Sequence, residues 1–353
     1  MKKQNFFLLV GSILAGVTCL LLISDSAGTI KAAEKSVQTC LNVIIPSLFA
    51  FMVFSKIVVK SGIADIALYP FYKISSFWFK GSRREFSIFI LSLIGGYPIG
   101  IRLLNDHIAY NKNYTEIAEN MLCYCYCGSP SFIIQIAGLS VTGNAGAGFI
   151  VYLSNALSCL TAAVFINIFS KRNNAGSYQI SKEKMSFSDI TDSIGSSVKS
   201  LGIICGTILA FNIILELLDY IGFIQMLKAI DLDKIMSAGL EISNLSLFNG
   251  CGYGFLPLIS AITSLGGICI LVQTAALSEN KISLKKFIVS RIPIAFLSSI
   301  YSYLILLLFP VSLETYLPSN TVTVLSSVNP VCSVCIAVMS YILLKQERKE
   351  KDV

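Results

Sequence analysis

Charge is scarce in this sequence. Lys, Arg, Asp and Glu make up 13% of its 353 residues, against about 25% in an ordinary soluble domain. That is too little charge to clothe a soluble globule of this length. With 54% hydrophobic residues and a mean hydropathy of +0.73, the chain reads as an integral membrane protein. Histidine is rarer still. His107 is the only one, which excludes histidine-rich metal centres and two-histidine metalloprotease motifs. No Gly-x-Ser-x-Gly elbow and no Gly-x-x-x-x-Gly-Lys-Ser/Thr phosphate loop occurs. The residues point away from an enzyme, and no cofactor or metal is expected.

Cysteine is plentiful, at 11 residues, yet its placement argues against disulfides or metal. Cys123, Cys125 and Cys127 are spaced by two, so on a helix they fan over different faces. Cys332 and Cys335 have no second pair beside them. Buried free thiols, packing as small hydrophobes, are the expectation. The net charge of +7 belongs to cytoplasmic flanks rather than to a nucleic-acid surface.

Windows of about 20 apolar residues mark the spans. Lys2 and Lys3 precede an apolar run over residues 6–24, longer than a signal-peptide core and read as an uncleaved first helix. Further spans are expected at 41–59 (with Pro46), 86–105, 117–139, 146–170, 198–218, 254–277, 287–309 and 328–344. Residues 64–80, with Trp78, and 221–237 read as interfacial. The polar stretch 171–190 divides the chain. This gives an N-terminal helix and loop (1–35), a first repeat (36–170), a cytoplasmic linker (171–190), a second repeat (191–309) and a C-terminal helix with a charged tail (310–353).

Two apolar segments are broken by glycine and lie 171 residues apart: Gly95-Gly96-Tyr97-Pro98-Ile99-Gly100-Ile101-Arg102 and Gly266-Gly267 through Gln273. Glycine and proline free backbone groups that lipid cannot satisfy, so such breaks belong inside protein or against a water-filled cavity. Paired broken helices in two halves of a membrane protein point to a transporter's substrate site. Ser47–Phe51 also matches Thr207–Phe211 at an offset of 160, so the second half carries an insertion of about 11 residues around Glu241. Basic residues cluster at 56–84 and 171–184, which puts the matched spans in opposite orientations. The expected architecture is therefore an all-α polytopic protein with two inverted-topology repeats and re-entrant segments at 86–105 and 254–277.

Arg102 is the strongest site candidate, because an intramembrane charge normally faces a cavity or a partner and guanidinium forks onto carboxylates. Asp106, four residues on, could pair with it. Gln273 offers a neutral amide, and Gly128-Ser129-Pro130-Ser131 breaks its helix and exposes hydroxyls, with Gln135 one turn on. Glu241, Ser243 and Asn244 have the oxygens a coupling H⁺ or Na⁺ would use.

The segment Gly95–Arg102 resembles the GYPxGAK-type motif of YlbJ-like (SpoVV) sporulation integral membrane proteins. Ser129-Pro130-Ser131-Phe132-Ile133 is similar to their GPAFI stretch, Gly239–Asn244 to GLLEITN, and Gly266-Gly267 through Gln273 to a later Gly-Gly segment. The likeness is colinear over about residues 36–309, with Arg102 in place of the motif lysine and Tyr126-Cys127 in place of an Asn pair. The resemblance implies two nucleoside-recognition (Gate) repeats, an architecture like that of concentrative nucleoside transporters. It also implies export of dipicolinic acid from the mother cell during endospore formation, in a multi-pass cell-membrane protein that could assemble as a homo-oligomer. Gly95, Gly96, Tyr97, Pro98, Gly100, Arg102, Ser129, Ser131, Gly266, Gly267 and Gln273 would then bind substrate. A nucleoside or other metabolite as cargo, and a membrane scaffold without transport, are the alternatives.

Overall fold

The computed structural model describes residues 16–110, 114–169, 186–279 and 281–309. The expected span at 328–344, the charged tail, Cys332 and Cys335, and most of the 6–24 run and the 171–190 linker lie outside these residues. Every regular element among the described residues is helical. Five helices are long and apolar enough to cross a membrane.

The first, α1 (Ser26–Lys60), is 35 residues long and contains a π-helical turn at Cys40–Ile44, just before Pro46. It starts well before the apolar window at 41. Its first turns carry Lys31, Glu34 and Lys35 among alanines, which hydropathy discounts although these are good helix formers. Gly62 in a left-handed conformation (φ 73°) ends it. Short helices α2 (Ile63–Ala67) and α3 (Tyr69–Ser75) follow, with Ile66, Phe71, Ile74 and Phe77 exposed.

Helix α4 (Arg83–Gly95) opens with a reciprocal cap between Ser82 and Glu85 and ends at Gly96, whose φ of 98° only glycine adopts readily. Helix α5 (Tyr97–Tyr110) then packs back along α4. Both outer ends of this hairpin sit by the end of α1: Arg84 donates to the Val59 carbonyl, and Asp106 pairs with Lys56 at 3.6 Å. Segment 86–105 therefore folds back on itself at Gly96.

Helix α6 (Thr115–Leu122) breaks into an irregular stretch, residues 123–129, before α7 (Pro130–Thr142) and the antiparallel return of α8 (Ala145–Phe169). Gly138 and Gly148 face each other so closely that a methyl on either would meet the other's backbone. Helix α9 (Phe187–Tyr220) runs antiparallel to α1, tied by Lys60–Asp189 at 2.5 Å, Lys56–Ser196 at 3.1 Å and Asn212–Ser36 at 2.9 Å. Gly222 (φ 82°) ends it as Gly62 ends α1, 160 residues earlier. Helices α10 (Phe223–Lys228) and α11 (Asp233–Leu240) lead to Glu241 and a 3₁₀ stretch, Ile242–Phe248.

The second Gly-Gly segment differs from the first. Helix α12 (Leu256–Leu265) and α13 (Gly267–Leu277) do not fold back on each other, and together they form one of the five membrane-length helices, Tyr253–Leu277. Gly266 and Gly267 (φ 83° and 70°) offset the axis without reversing it, because α13 packs on α5 and α9 rather than on α12. Unlike 86–105, the segment 254–277 does not fold back on itself as a re-entrant hairpin would, and it is long and apolar enough to cross a membrane. Helix α14 (Lys285–Leu308) completes the described chain, with Ile292 73% and Phe296 69% exposed on its outer side, where lipid would lie.

Candidate functional site

The breaks converge at the centre. A Cβ on Gly96 would sit 3.0 Å from the Ser129 amide nitrogen, so the tip of the α4–α5 hairpin rests directly on the irregular stretch. Gly100 is pressed still more closely on the Cys125 carbonyl, and Gly95 on the Phe51 ring. Gly267 lies against the carbonyls at the end of α11, the nearest being Gly239 O at 3.2 Å from its would-be Cβ. Gly266 fits against the Tyr126 hydroxyl.

Polar ties lock these pieces together. The Tyr97 hydroxyl donates to the Thr263 carbonyl, and that of Tyr126 to Leu265 O at 3.4 Å. Asn155 donates to Thr263 Oγ1 at 2.8 Å and accepts from Ser298 at 3.0 Å. Arg291, 2% exposed, was missed by sequence reasoning. It donates to the Cys123 and Tyr126 carbonyls and lies 4.7 Å over the Tyr126 ring, holding carbonyls that have no helical partner. Only its place as a basic residue within an apolar run, at 287–309, signalled it.

A cavity of about 40 Å³ lies where the breaks meet. Gly96, Tyr97, Pro98, Ser129, Glu241 and Gln273 line it, and Ile44, Leu48, Ile204 and Ile208 close the apolar side. Six of the residues singled out from sequence thus share one site. The cavity is smaller than the chamber at the basic end described below. Ser129 Oγ accepts from the Phe132 amide at 3.3 Å and lies 3.4 Å from Ser131 Oγ, while Ser131 and Gln135 are exposed. The Glu241 carboxylate, 1% exposed, accepts from the Ser243 amide at 3.0 Å and from its hydroxyl. Among the described residues no cation lies within ion-pair distance of it. Gln273 donates to Cys269 Sγ at 3.3 Å, and Asn244 turns away to Asn212 on α9 at 3.0 Å.

Arg102 does not reach the cavity. Its guanidinium donates to Ser196 Oγ at 3.0 Å and to Ser197 Oγ at 3.3 Å on α9, while Asp106 pairs with Lys56 instead. The α5 helix turns residue 102 away from residues 96–98 and toward α9, which spacing along one segment does not disclose. A second chamber, about 180 Å³, lies beyond it among Lys56, Lys60, Arg84, Asp106, Asp189 and Asp192. Behind Arg84, Asp65 pairs at 3.0 Å; its burial pushes its carboxyl up from the usual range, against the pull of the guanidinium. At the same end, Lys281 holds the Glu279 carboxyl below its usual range at 2.6 Å.

Cys40, Cys123, Cys125, Cys127, Cys159 and Cys269 are buried free thiols, as expected. No known protein family, characterised relative or solved structure matches this chain.

Proposed function

We propose that this chain is a multi-pass membrane carrier built from two inverted repeats, residues 36–170 and 191–309. The observation that carries the reading is the meeting of a re-entrant tip, two interrupted stretches and a buried carboxylate around one internal cavity. In a membrane, irregular backbone at depth belongs to binding sites. In the first repeat α1, the α4–α5 hairpin, the interrupted α6–α7 and α8 follow in turn. In the second, α9, the α11–Glu241–3₁₀ excursion, the interrupted α12–α13 and α14 play the corresponding parts. The 160-residue spacing of Gly62 and Gly222 supports this pairing. It sets Gly96 opposite Glu241, and Ser129 opposite Gly266-Gly267, rather than Gly-Gly opposite Gly-Gly.

The cargo is a small anionic metabolite, with dipicolinate leaving the mother cell during endospore formation as the case the resemblance implies. Glu241 takes the coupling H⁺ or Na⁺, since a buried carboxylate without a cation needs one or the other. One observation favours a second cargo class: the cavity offers Ser129, Gln273 and Glu241 but no cation, which suits a neutral polar solute such as a nucleoside.

The test is uptake of radiolabelled dipicolinate into proteoliposomes under proton or sodium gradients. Saturable uptake is expected, and Glu241→Gln should retain binding while losing the response to the gradient. Uptake competed by nucleosides and indifferent to dipicolinate would move the reading to the second class. No uptake of either solute by folded protein would leave the scaffold reading.

A further inference from the structure

The central cavity and the larger chamber lie between the same three helices. Along α1, Ile44 and Leu48 line the first, and Lys56 and Lys60 the second. Along α9 the order is Ile208 and Ile204, then Ser193 and Asp189; along α5 it is Tyr97, then Leu103 and Asp106. At 1.5 Å per residue the two are on the order of 10–20 Å apart along these helices.

Arg102 stands between them. Its guanidinium and the Lys56 ammonium both donate to one oxygen, Ser196 Oγ, at 3.0 and 3.1 Å. That hydroxyl gives its own proton to the Ser193 carbonyl at 3.1 Å, so its bonding capacity is used in full. Two cations that share one neutral oxygen repel each other, and the carboxylate paired with them is Asp106, 3.6 Å from Lys56 and 39% exposed, with Glu279 acting on Lys56 from farther off. Among the described residues Arg102 has no carboxylate within 4 Å. The remaining charges of the chamber are matched, Lys60 by Asp189 and Arg84 by Asp65, while Asp192 faces solvent.

We propose that the seam between α1, α5 and α9 is the solute path between the central cavity and the basic face, and that Lys56 and Arg102 form a carboxylate-binding site on it. Ser196 Oγ occupies the place of the carboxylate oxygen in the closed form. An arriving carboxylate takes both donors, the forked guanidinium supplying two parallel hydrogen bonds. The α5–α9 contact is thereby released, and the way to the cavity opens. The inference rests on the carrier reading, and it gives Arg102 a role that the central cavity does not.

The experiment uses the full chain with Ser193→Cys, reconstituted and exposed from the basic side to methanethiosulfonate reagents, one a sulfonate and one an ammonium. Mass spectrometry locates the label, since other cysteines are present. Residue 193 should be labelled, and dipicolinate should slow labelling by both reagents. Lys56→Gln and Arg102→Gln should each raise the dipicolinate concentration needed for protection about tenfold or more, the loss of a charge-assisted hydrogen bond. Arg102→Lys should keep part of the protection. Ser196→Ala, which removes the internal competitor and touches no charge, should lower the concentration required. Absence of labelling at 193 would overturn the path. Protection unchanged in Lys56→Gln and Arg102→Gln would overturn the site. Isophthalate, of like shape, separates the two levels. Protection by isophthalate that depends on Arg102, with dipicolinate neither protecting nor transported, would keep the site and dismiss dipicolinate. Failure of both carboxylates to protect would overturn the site whatever the cargo.

Discussion

At the scale of single residues, the glycines do different work. Gly266 and Gly143 both hold positive φ (83° and 68°), but only Gly266 has Tyr126 against it; nothing lies within 4 Å of a Cβ on Gly143. A left-handed conformation costs a non-glycine residue about 1–2 kcal/mol. Gly143→Ala should therefore lose about that much stability, and Gly266→Ala clearly more, as read by the thermal unfolding of the detergent-solubilised protein. Equal losses would mean that Tyr126 moves aside without penalty. Arg291 is the other residue-scale case. Arg291→Met leaves the Cys123 carbonyl without a donor and the Tyr126 carbonyl with only the Cys159 thiol, the charge-assisted bonds lost being worth about 1.5–3 kcal/mol each. Backbone hydrogen exchange should rise over residues 123–129 before it rises in α8 or α14; a uniform rise would show that Arg291 serves the whole bundle.

At the scale of elements, the sequence revealed where helices break and not which way they continue. Gly95-Gly96 and Gly266-Gly267 look alike, yet the first reverses the chain and the second only offsets it. The reversal depends on what each flanking helix packs against. The apolar faces of α4 and α5 find each other and the end of α1, whereas α13 finds α5 and α9. The start of α1 escaped hydropathy because lysine and glutamate are good helix formers that transfer scales penalise. The break at Ser129-Pro130 was legible, since proline and its predecessor both resist a continuous helix.

At the scale of the whole molecule, Lys56, Lys60, Arg84, Lys281 and Lys286 gather at one end. Asn105 joins α5 to the Leu277 carbonyl there at 2.5 Å, and Lys286 pairs with Glu119 at 3.6 Å. Short basic loops stay in the cytoplasm. The turn at Asn144, tied to Tyr253 at 3.1 Å, belongs to the opposite end. In sealed, right-side-out vesicles an impermeant thiol reagent should label Asn144→Cys and spare Lys281→Cys until the membrane is opened. Labelling of both from outside would refute the through-running course of α12–α13.

Hydropathy, glycine and proline placement and flanking charge are enough to give the membrane setting, the helical class, the positions of the breaks and the basic end. Each follows from quantities local to a stretch of chain: transfer free energy, backbone hydrogen bonds that lipid cannot supply, and flanking charge. Helix packing sets which breaks meet, that Glu241 and Gln273 share a cavity with Ser129 and Tyr97, and that Arg102 stands outside it toward the basic face. Those relations depend on helix rotation and on partners more than a hundred residues distant. A quarter-turn of α5 is invisible in composition, and it decides whether a guanidinium faces the cavity or α9.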